Sequence, residues 1–442
     1  MGEGEECLLR GRSSPRSTRR AQRKKTLEFK ASRTSRLRGV GSWPGPGMAS
    51  ARAGNPWERG AESWDTARRP VPPSGGGSHA GAAMITYVIP TRDRHGRLSA
   101  TLDAISALGR QRDAEVIVVD NASAEAVVAP VRLASGVPVR VIRLGRNLGA
   151  AARNVGVRHA AGDWAVMLDD DSYPLDLGFV GGLRGAPAEV AAVSADIRLS
   201  GGREQGGLPE VFIGCGVAIR VPVFIALRGY DAAFDYYAEE YDLAARMLLA
   251  GYRVAFDPAF RVEHAKVAQG RDMGTILSRL VRNSGWVIQR YAPAGERRAT
   301  LRALRRRYLA IARKESAGAG WGRGAIELRA TIRGQVRREM PRGLWDRFTG
   351  LFHAREALQA AFRRSPFRTA TLVDPGKNQE LVALALAELG VRVVAGDAEA
   401  LVIGTLSPGP MLDALERRAG SGARVVAPWG VAEAMGPARR AA

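Results

Sequence analysis

The sequence predicts an α/β protein built on a mostly parallel sheet with helices on both faces. From Met84 onward, short runs rich in Val and Ile alternate with stretches whose apolar residues recur at helical spacing. Alternating strands and helices are typical of a parallel sheet that is covered on both faces. Two of the apolar runs end directly in acidic residues. Because ligands of such sheets bind beside the carboxyl ends of the strands, these acidic residues indicate a candidate site.

Four strands and two helices are predicted in the first part of this α/β segment. Each strand is a continuous apolar run, and the first is closed by Pro90. The first helix shows apolar residues at Leu98, Leu102 and Ile105, which lie on one helical face. The predicted strands cover residues 85–89, 115–119, 139–144 and 164–168, and the predicted helices cover residues 97–110 and 149–160.

Two further regions follow. Residues 293–368 are basic, and their apolar positions follow a helical period, so we expect a basic helical region. Residues 369–442 return to strand–helix alternation and predict a small α/β unit. That unit contains neither a Gly-rich phosphate loop nor an obvious catalytic cluster, so the sequence assigns it no chemistry.

Residues 1–83 precede the first strand and are rich in Arg, Ser, Gly and Pro, without a helical or strand period. Such a composition buries too little apolar surface to fold, which predicts a disordered basic tail. The alternative is a mis-assigned start, with Met84 as the true first residue. An organellar transit peptide is disfavoured because Glu3, Glu5 and Glu6 are acidic.

The formal net charge of +22 is concentrated in two segments. Residues 1–83 contain 16 Lys/Arg against 7 Asp/Glu, and residues 290–370 contain 20 against 6, so the remainder is close to neutral. Neither segment has aromatic residues interleaved for base stacking, and nucleic acid is therefore not the favoured partner. Only two cysteines and no apolar run of 18 or more residues occur, which suits the cytoplasm.

Three consecutive carboxylates, Asp169, Asp170 and Asp171, follow the fourth predicted strand. Crowded like charges are unfavourable, and a divalent cation is the usual means of neutralising them. Asp169 and Asp171 are two residues apart on an extended segment, so their side chains share a side and both can face a metal. The alternative is a solvated acidic turn with Ser172 and Pro174.

Seven segments, taken in chain order, resemble the motifs of the family 2 glycosyltransferases, which have the GT-A fold. The resemblance runs from about residue 85 to about residue 264, less than half of the chain. Its strength lies in the order of the whole set, because any one match alone is weak. The segments are YVIPTR (87–92), VVDNAS (118–123), NLGAAARNVG (147–156), LDDD (168–171), GCGVAIR (214–220), AEEYDL (238–243) and VEH (262–264).

The resemblance implies a GT-A domain over residues 84–292 and a role for each matching residue. Glu240 would be the general base, although the family often has Asp there, and Glu239 remains the other choice. The residues expected to bind the nucleotide sugar are Pro90, Thr91, Arg92, Asp120, Arg153, Asp169 and Asp170. The expected ligands of Mg²⁺ or Mn²⁺ are Asp169, Asp171 and His264.

Each of these side chains also has a purely structural reading. Asp120 could cap a turn before Asn121, and Arg153 could form an ordinary ion pair. Glu239 could simply favour the positive end of a helix. A single His beside a strand, such as His264, is often structural.

The resemblance implies an inverting sugar transferase with a nucleotide-diphosphate donor, of the kind used in polysaccharide biosynthesis. The acceptor would be a glycan, a lipid-linked molecule or a small molecule. The basic helical region could make peripheral contact with an anionic membrane, or be a solvated face. A second function class is a degenerate transferase with a nucleic-acid-binding or regulatory role. A nucleotidyltransferase would instead need a Gly-rich loop after the first strand, and Pro90-Thr91-Arg92-Asp93 does not resemble one.

Overall fold

The structure is a computed structural model that describes residues 85–266 and 272–430. The expectation for residues 1–83 therefore lies outside the described residues. Within them, nine strands form one large sheet in the order β3-β2-β1-β4-β8-β6-β9-β5, with β7 paired to β6. The strands are β1 (Ile85–Thr91), β2 (Ala114–Asp120), β3 (Val139–Arg143), β4 (Trp164–Met167), β5 (Ser172–Pro174), β6 (Val190–Leu199), β7 (Gly202–Arg203), β8 (Val217–Arg220) and β9 (Arg253–His264).

The predicted strands β1 to β4 form the parallel half of this sheet. Their ends agree with the prediction to within two residues. Thr91 is the partner of Asp120 in the register, so the carboxyl ends of β1 and β2 lie side by side. Beyond β4 the sheet is mixed, since β8 runs antiparallel to both β4 and β6. This mixed α/β architecture confirms the fold class expected from the GT-A resemblance.

Five helices flank the large sheet, and the two predicted first are shorter than expected. The helix predicted at 97–110 ends at Ala107, because Gly109 has a positive φ of 84°. The one predicted at 149–160 begins as a 3₁₀ turn at Gly149 before it becomes α-helical. The helices are α1 (His95–Ala107), α2 (Ala152–Arg158), α3 (Gly178–Arg184), α4 (Val221–Ala226) and α5 (Glu239–Leu249).

The predicted helical region forms helices that pack closely on one another. At Gly320 and Gly324, an added Cβ would lie 2.1 Å from the Gly274 carbonyl oxygen and 2.4 Å from that of Ser278. Only glycine lets the two backbones approach this closely. Including the helix at the end of the preceding segment, these helices are α6 (Met273–Tyr291), α7 (Ala294–Lys314), α8 (Gly318–Thr331), α9 (Arg342–Thr349) and α10 (Leu351–Arg364).

The last described segment is the predicted small α/β unit. Its sheet has the order β11-β10-β12-β13, and all of its strands are parallel. One buried apolar cluster includes Val88 of β1, Leu243 of α5 and Val402, so this unit shares a core with the large sheet. Its elements are β10 (Thr369–Val373), α11 (Gln379–Glu388), β11 (Arg392–Val393), β12 (Ala400–Ile403), α12 (Pro408–Arg418) and β13 (Val425–Val426).

The domain boundaries predicted near residues 292 and 368 stay predictions, since the core is continuous across them. Among residues 85–266 and 272–430, no helix combines the length and the apolar character needed to cross a bilayer.

Candidate active site

The acidic triplet forms a turn between β4 and β5. Ser172 fixes this turn, because its Oγ accepts a hydrogen bond from the Asp169 backbone N–H (2.8 Å) and donates one to the Cys215 carbonyl (3.0 Å). The Asp169 side chain is 38% exposed, whereas Asp170 and Asp171 are buried. The turn therefore presents one accessible carboxylate and holds two others below the surface.

Two arginines offset the charges of the triplet. Arg94 donates from Nη1 to Asp170 and from Nη2 to Asp171, each over 2.5 Å. Arg153 is buried and pairs with Asp169. Its Nη2 also lies 3.3 Å from the Leu168 carbonyl oxygen, and its buried Nε has no hydrogen-bond partner among the described residues. Arg153 was predicted from the sequence, whereas Arg94 was not.

The surroundings divide the acidities of the buried carboxyls. Burial raises the pKa of Asp170 to about 6, although Thr91 donates to it (2.7 Å) and Arg94 lies beside it. Burial also acts to raise the pKa of Asp171, but hydrogen bonds from His264 and Arg94 outweigh it and hold the pKa at about 2. Asp171 is therefore the more strongly ionised of the two.

His264 lies at the end of β9, between two carboxylates. Its Nε2 is 3.3 Å from Oδ1 of Asp171, and its Nδ1 is 3.4 Å from Oε2 of Glu204. Burial acts to lower the pKa of His264, but hydrogen bonds with Asp171, Cys215 and Glu204 raise it to about 12. Antiparallel pairing of Ser172 with His264 brings the histidine to the triplet.

Two of the three predicted metal ligands, Asp169 and His264, belong to one cluster of possible ligand atoms, and the third, Asp171, contacts His264. Ligand atoms of Asp169, Cys215 and His264 all lie within 4.8 Å of one another. Carboxylate oxygens and an imidazole nitrogen suit Mn²⁺, and carboxylates suit Mg²⁺, so the residues present fit the expected cation. The soft Cys215 thiol is the member of the group that suits these metals least. Cys215 was not predicted, since no spacing in the sequence connects it to His264.

The two candidate bases open helix α5. The chain enters this helix through Tyr237 and Ala238, which both have positive φ values, 74° and 68°. Glu239 is buried, and its Oε2 has no partner among the described residues. Glu240 is partly exposed and accepts a hydrogen bond from the Gly214 N–H at 3.3 Å. Burial raises the pKa of both carboxyls, and the charge of Glu240 further raises that of Glu239.

Helix α6 anchors the start of α5 through polar side chains that the sequence analysis missed. Asn283 is fully buried, and its Nδ2 lies 2.7–2.9 Å from the carbonyl oxygens of residues 234, 236 and 237. Asp242 is fully buried and accepts hydrogen bonds from Arg246 (2.8 Å), Arg290 (2.8 Å) and Tyr291 (2.7 Å). The sequence signal that could have predicted these contacts is the presence of Asn283 and Arg290 among the apolar residues of α6.

The remaining residues predicted to bind the nucleotide sugar lie at the ends of β1 and β2. Asp120 is fully buried, and its two oxygens accept backbone N–H groups from Ser123 (2.8 Å) and Val127 (3.2 Å). Burial acts to raise its pKa, but these bonds lower the pKa below the usual value. It thus shapes a turn, as the structural reading expected, and its contact with a ligand stays a prediction.

Pro90 is partly buried within β1, and Thr91 is buried and holds Asp170. Arg92 is exposed, with its Nε 3.5 Å from Oδ2 of Asp93. It makes no described contact with the triplet, and its predicted binding role stays a prediction.

The parallel half of the sheet, the acidic turn at the end of β4 and the carboxylates that open α5 together agree with a GT-A nucleotide-sugar transferase. Residues 86–194 match the family model Glycosyl transferase family 2. Residues 86–194 therefore form a family 2 glycosyltransferase domain.

Several curated proteins are similar over part of their length. An uncharacterized glycosyltransferase of Haemophilus influenzae is 40% identical over 89 residues, which is 20% of this chain and 29% of that protein. The succinoglycan biosynthesis protein ExoO of Rhizobium meliloti is 30% identical over 152 residues, 34% of this chain and 44% of ExoO. The pre-mycofactocin glycosyltransferase of Mycobacterium tuberculosis is 28% identical over 233 residues, 47% of each chain. The chain thus spans less than half the length of these relatives.

Solved structures show a remote likeness. The mannosyltransferase PcManGT from Pyrobaculum calidifontis, in complex with GDP-Man and Mn²⁺, is 18% identical with a TM-score of 0.40, covering 70% of this chain and 88% of that one. A structure of S. aureus TarS is 13% identical with a TM-score of 0.42, covering 64% and 88%.

Proposed function

We propose that this protein is a metal-dependent, inverting glycosyltransferase that moves a sugar from a nucleotide-diphosphate donor to an acceptor hydroxyl, with Glu240 as the general base. The observation that carries the proposal is the place of Gly214. The N–H of Gly214 donates to Glu240. A Cβ built on Gly214 would lie 3.9 Å from the guanidinium carbon of Arg153, and Arg153 pairs with Asp169. The candidate base and the acidic turn therefore face one another across a single residue.

The donor side would be formed by the acidic turn and its arginines. Asp169, Asp171 and His264 would hold Mg²⁺ or Mn²⁺, which supplies Lewis-acid neutralisation of the leaving diphosphate. Arg94 is 41% exposed and lies between Asp170 and Asp171, so it can also contact a phosphate oxygen. Asp170 would act by fixing Arg94.

On the acceptor side, a hydroxyl oxygen would attack the anomeric carbon of the donor sugar. The bond from that carbon to the β-phosphate oxygen breaks, and the nucleoside diphosphate leaves with the bonding electrons. Glu240 takes the hydroxyl proton, and attack from the side opposite the leaving group inverts the configuration. Glu240 suits this role better than Glu239, because it is partly exposed while Glu239 is buried.

The acceptor would be a glycan, a lipid-linked molecule or a small molecule that carries a hydroxyl. For a lipid-linked acceptor, the basic face of α7 supports peripheral contact with an anionic membrane. Its cationic side chains are exposed and form no ion pair within the described residues. The cationic side chains that share this face are Arg298, Arg302, Arg305, Arg306 and Arg313.

Such a face attracts anionic lipid with a strength that falls as salt screens it. Sedimentation with vesicles of phosphatidylserine and phosphatidylcholine tests this proposal. We expect binding at low salt that is lost at high salt and reduced when Arg302, Arg305 and Arg306 are changed to Gln. Absence of binding at low salt would remove the membrane from the proposal.

A donor screen tests the enzymatic proposal. Purified protein with Mn²⁺ is mixed with a panel of nucleotide sugars, and donor binding and nucleoside diphosphate release are measured. We expect at least one donor to bind, and Asp169→Asn and Asp171→Asn to abolish binding. Asp113→Asn is the matched control, since Asp113 is exposed and its ion pair with Arg184 is long, at 4.0 Å.

A protein that binds no donor in the presence of metal would contradict the proposal. The same result would favour the alternative function, a degenerate transferase-like protein with a nucleic-acid-binding or regulatory role. That alternative has the weaker support, because the metal-site and base carboxylates are all present.

A further inference from the structure

A side chain of the small C-terminal unit contacts the helix that presents the candidate base. Lys377 lies in the loop between β10 and α11. Its Nζ donates to the hydroxyl of Tyr241 over 2.7 Å and lies 3.4 Å from the Gly207 carbonyl oxygen. Tyr241 directly follows Glu240 on α5. A residue more than 130 positions along the chain therefore touches the helix that presents the candidate base.

Gly207 belongs to the segment from Glu204 to Gly214, called the 204–214 segment below. Each end of this segment contacts the candidate site. Glu204 lies 3.4 Å from His264 Nδ1, and Gly214 donates to Glu240. Lys377 thus holds the middle of a segment whose two ends touch the candidate metal ligand and the candidate base.

The small sheet explains why this loop is available. In the order β11-β10-β12-β13, the strand that follows β10 in the chain, β11, lies on one side of β10, and the next strand, β12, lies on the other. The crevice at the carboxyl ends of two such strands is the usual ligand site of an open parallel sheet. Here the 204–214 segment lies against that end of the sheet. Ser407 Oγ donates to the carbonyls of Gln205 (3.2 Å) and Gly207 (3.3 Å).

Close packing fixes this arrangement. A Cβ built on Gly409, in the first turn of α12, would lie only 2.4 Å from the Glu204 carbonyl oxygen. The ring of Tyr241 is also held from the other side, edge to face with Phe348 of α9 (6.3 Å between centroids). Desolvation and, to a smaller extent, the charge of Arg307 together lower the pKa of Lys377 to about 8. Lys377 is half-buried, and among the described residues its ammonium contacts one hydroxyl, one carbonyl at long distance and the ring of Tyr241, 5.4 Å from the centroid, with no carboxylate in an ion pair. Partial desolvation of such a cation is costly, which argues for a role beyond stability.

We propose that Lys377 is a positioning residue for the transfer reaction: it joins Tyr241 to the 204–214 segment and thereby sets the orientation of Glu240 toward the acceptor. The inference rests on the proposed function, and it gives the C-terminal unit a part in the active site. The donor side is built from Thr91, Arg94, Arg153, the acidic triplet and His264, none of which Lys377 contacts directly. The segment that Lys377 holds touches this side at Glu204, 3.4 Å from His264, whereas Tyr241 lies next to the base, so we expect the main effect on turnover.

The test measures donor affinity and turnover separately in the full chain. Lys377→Met keeps the aliphatic stem and removes the ammonium. We expect kcat for transfer to an acceptor to fall roughly tenfold to a hundredfold, as small misplacements of a reacting group do. The Kd for the donor with Mn²⁺ should stay within about twofold. Lys377→Arg should recover part of the lost turnover, because it restores a cationic donor.

Tyr241→Phe tests the same contact from the other partner and keeps the ring that packs on Phe348. We expect a similar fall in kcat, and we expect the double variant to lose little more than either single variant, since both remove one interaction. If Lys377→Met fails to fold, Tyr241→Phe alone decides the inference. Arg392→Met is the matched control, because Arg392 is an exposed cation of the same unit.

Two results would overturn the inference. One is an unchanged kcat in Tyr241→Phe, or in a folded Lys377→Met, while the wild-type protein transfers sugar. The other is a parallel loss of donor affinity, which would show a general structural defect. Failure of the wild-type protein to bind any donor is a different outcome, since it contradicts the proposed function itself.

Discussion

The backbone N–H of Gly214 donates a hydrogen bond to Oε1 of Glu240, over 3.3 Å. The next residue, Cys215, accepts a hydrogen bond from Ser172 in the acidic turn and lies 3.6 Å from His264 through its sulfur. Two consecutive residues therefore connect the candidate base to the candidate metal ligands. The base, the acidic turn and His264 are far apart in the sequence, so no local pattern predicts this connection. The base and the metal ligands are different side chains, so each assignment can be tested by its own substitution.

The first prediction concerns the base. Glu240→Gln keeps the size of the side chain and removes its ability to take a proton, so kcat for transfer should fall by roughly 10² to 10⁴. Glu239→Gln should have a much smaller effect, because Glu239 is buried, and burial together with the charge of Glu240 raises its pKa. Turnover and donor Kd are measured for both, with Glu125→Gln as an exposed control. The reverse ranking of the two variants would assign the base to Glu239.

The second prediction is the pH dependence of transfer. A general base acts when it is deprotonated, so kcat/KM should fall as the pH falls through the pKa of Glu240. Burial raises that pKa, so the acid limb should have its midpoint above the ordinary glutamate value of about 4.3. The measurement is kcat/KM for the acceptor as a function of pH, with Mn²⁺ and donor at saturating concentrations. A midpoint at or below about 4.3 would contradict Glu240, whose pKa is raised by its surroundings, as the base.

The third prediction identifies the metal ligands. Treatment with EDTA should abolish transfer, and Mn²⁺ should restore it. His264→Ala and Asp171→Asn should each weaken Mn²⁺ binding by more than about tenfold, as measured by electron paramagnetic resonance of free Mn²⁺. Cys215→Ser should leave the affinity within about threefold, since oxygen and imidazole donors suit Mn²⁺ better than a thiol. A large loss in Cys215→Ser would place the sulfur in the ligand set.

How much of this site the sequence could predict depends on the range of each contact. Asp169 and Asp171 were predicted as ligands because they directly follow a strand, and a strand end is a local feature of the sequence. His264 was predicted because its segment completes an ordered set of motifs. The structure brings these three residues together through the pairing of β5 with β9. Local pattern and motif order can therefore predict residues of a site when the pairing of strands brings those residues together.

The residues that were missed act over long separations in the chain. Arg94 meets the acidic triplet 76 or 77 positions later, and Arg290 meets Asp242 48 positions earlier. Exposed and buried arginines look alike in a sequence, because only the tertiary fold decides which of them face a carboxylate. The same reason hid Lys377, which lies in a unit to which the sequence assigned no chemistry.

The last prediction concerns the stability of the helix that presents the base. Asp242 is fully buried and accepts hydrogen bonds from Arg246, Arg290 and Tyr291. Asp242→Asn removes the buried counter-charge of Arg246, while Arg290 keeps its ion pair with Asp231 (2.8 Å), so the free energy of unfolding should fall by about 3 kcal/mol. Urea unfolding at pH 7 measures this loss, with the exposed Asp113→Asn as the control. A loss below about 1 kcal/mol would contradict the bracing role.

The pH dependence of stability gives this prediction a second arm. Burial acts to raise the pKa of Asp242, but the charges of Arg246 and Arg290 outweigh it, so the pKa in the folded protein is lowered. A carboxyl with a lowered folded pKa stabilises the protein above its unfolded pKa of about 3.9 and loses that contribution as the pH falls through the folded pKa. The difference in unfolding free energy between wild type and Asp242→Asn should therefore be the same at pH 7 and pH 5.5, and should shrink below about pH 4. A difference that instead grows as the pH falls from 7 to 5.5 would mean that the folded carboxyl takes up a proton in that range, so that its pKa is raised rather than lowered by its surroundings.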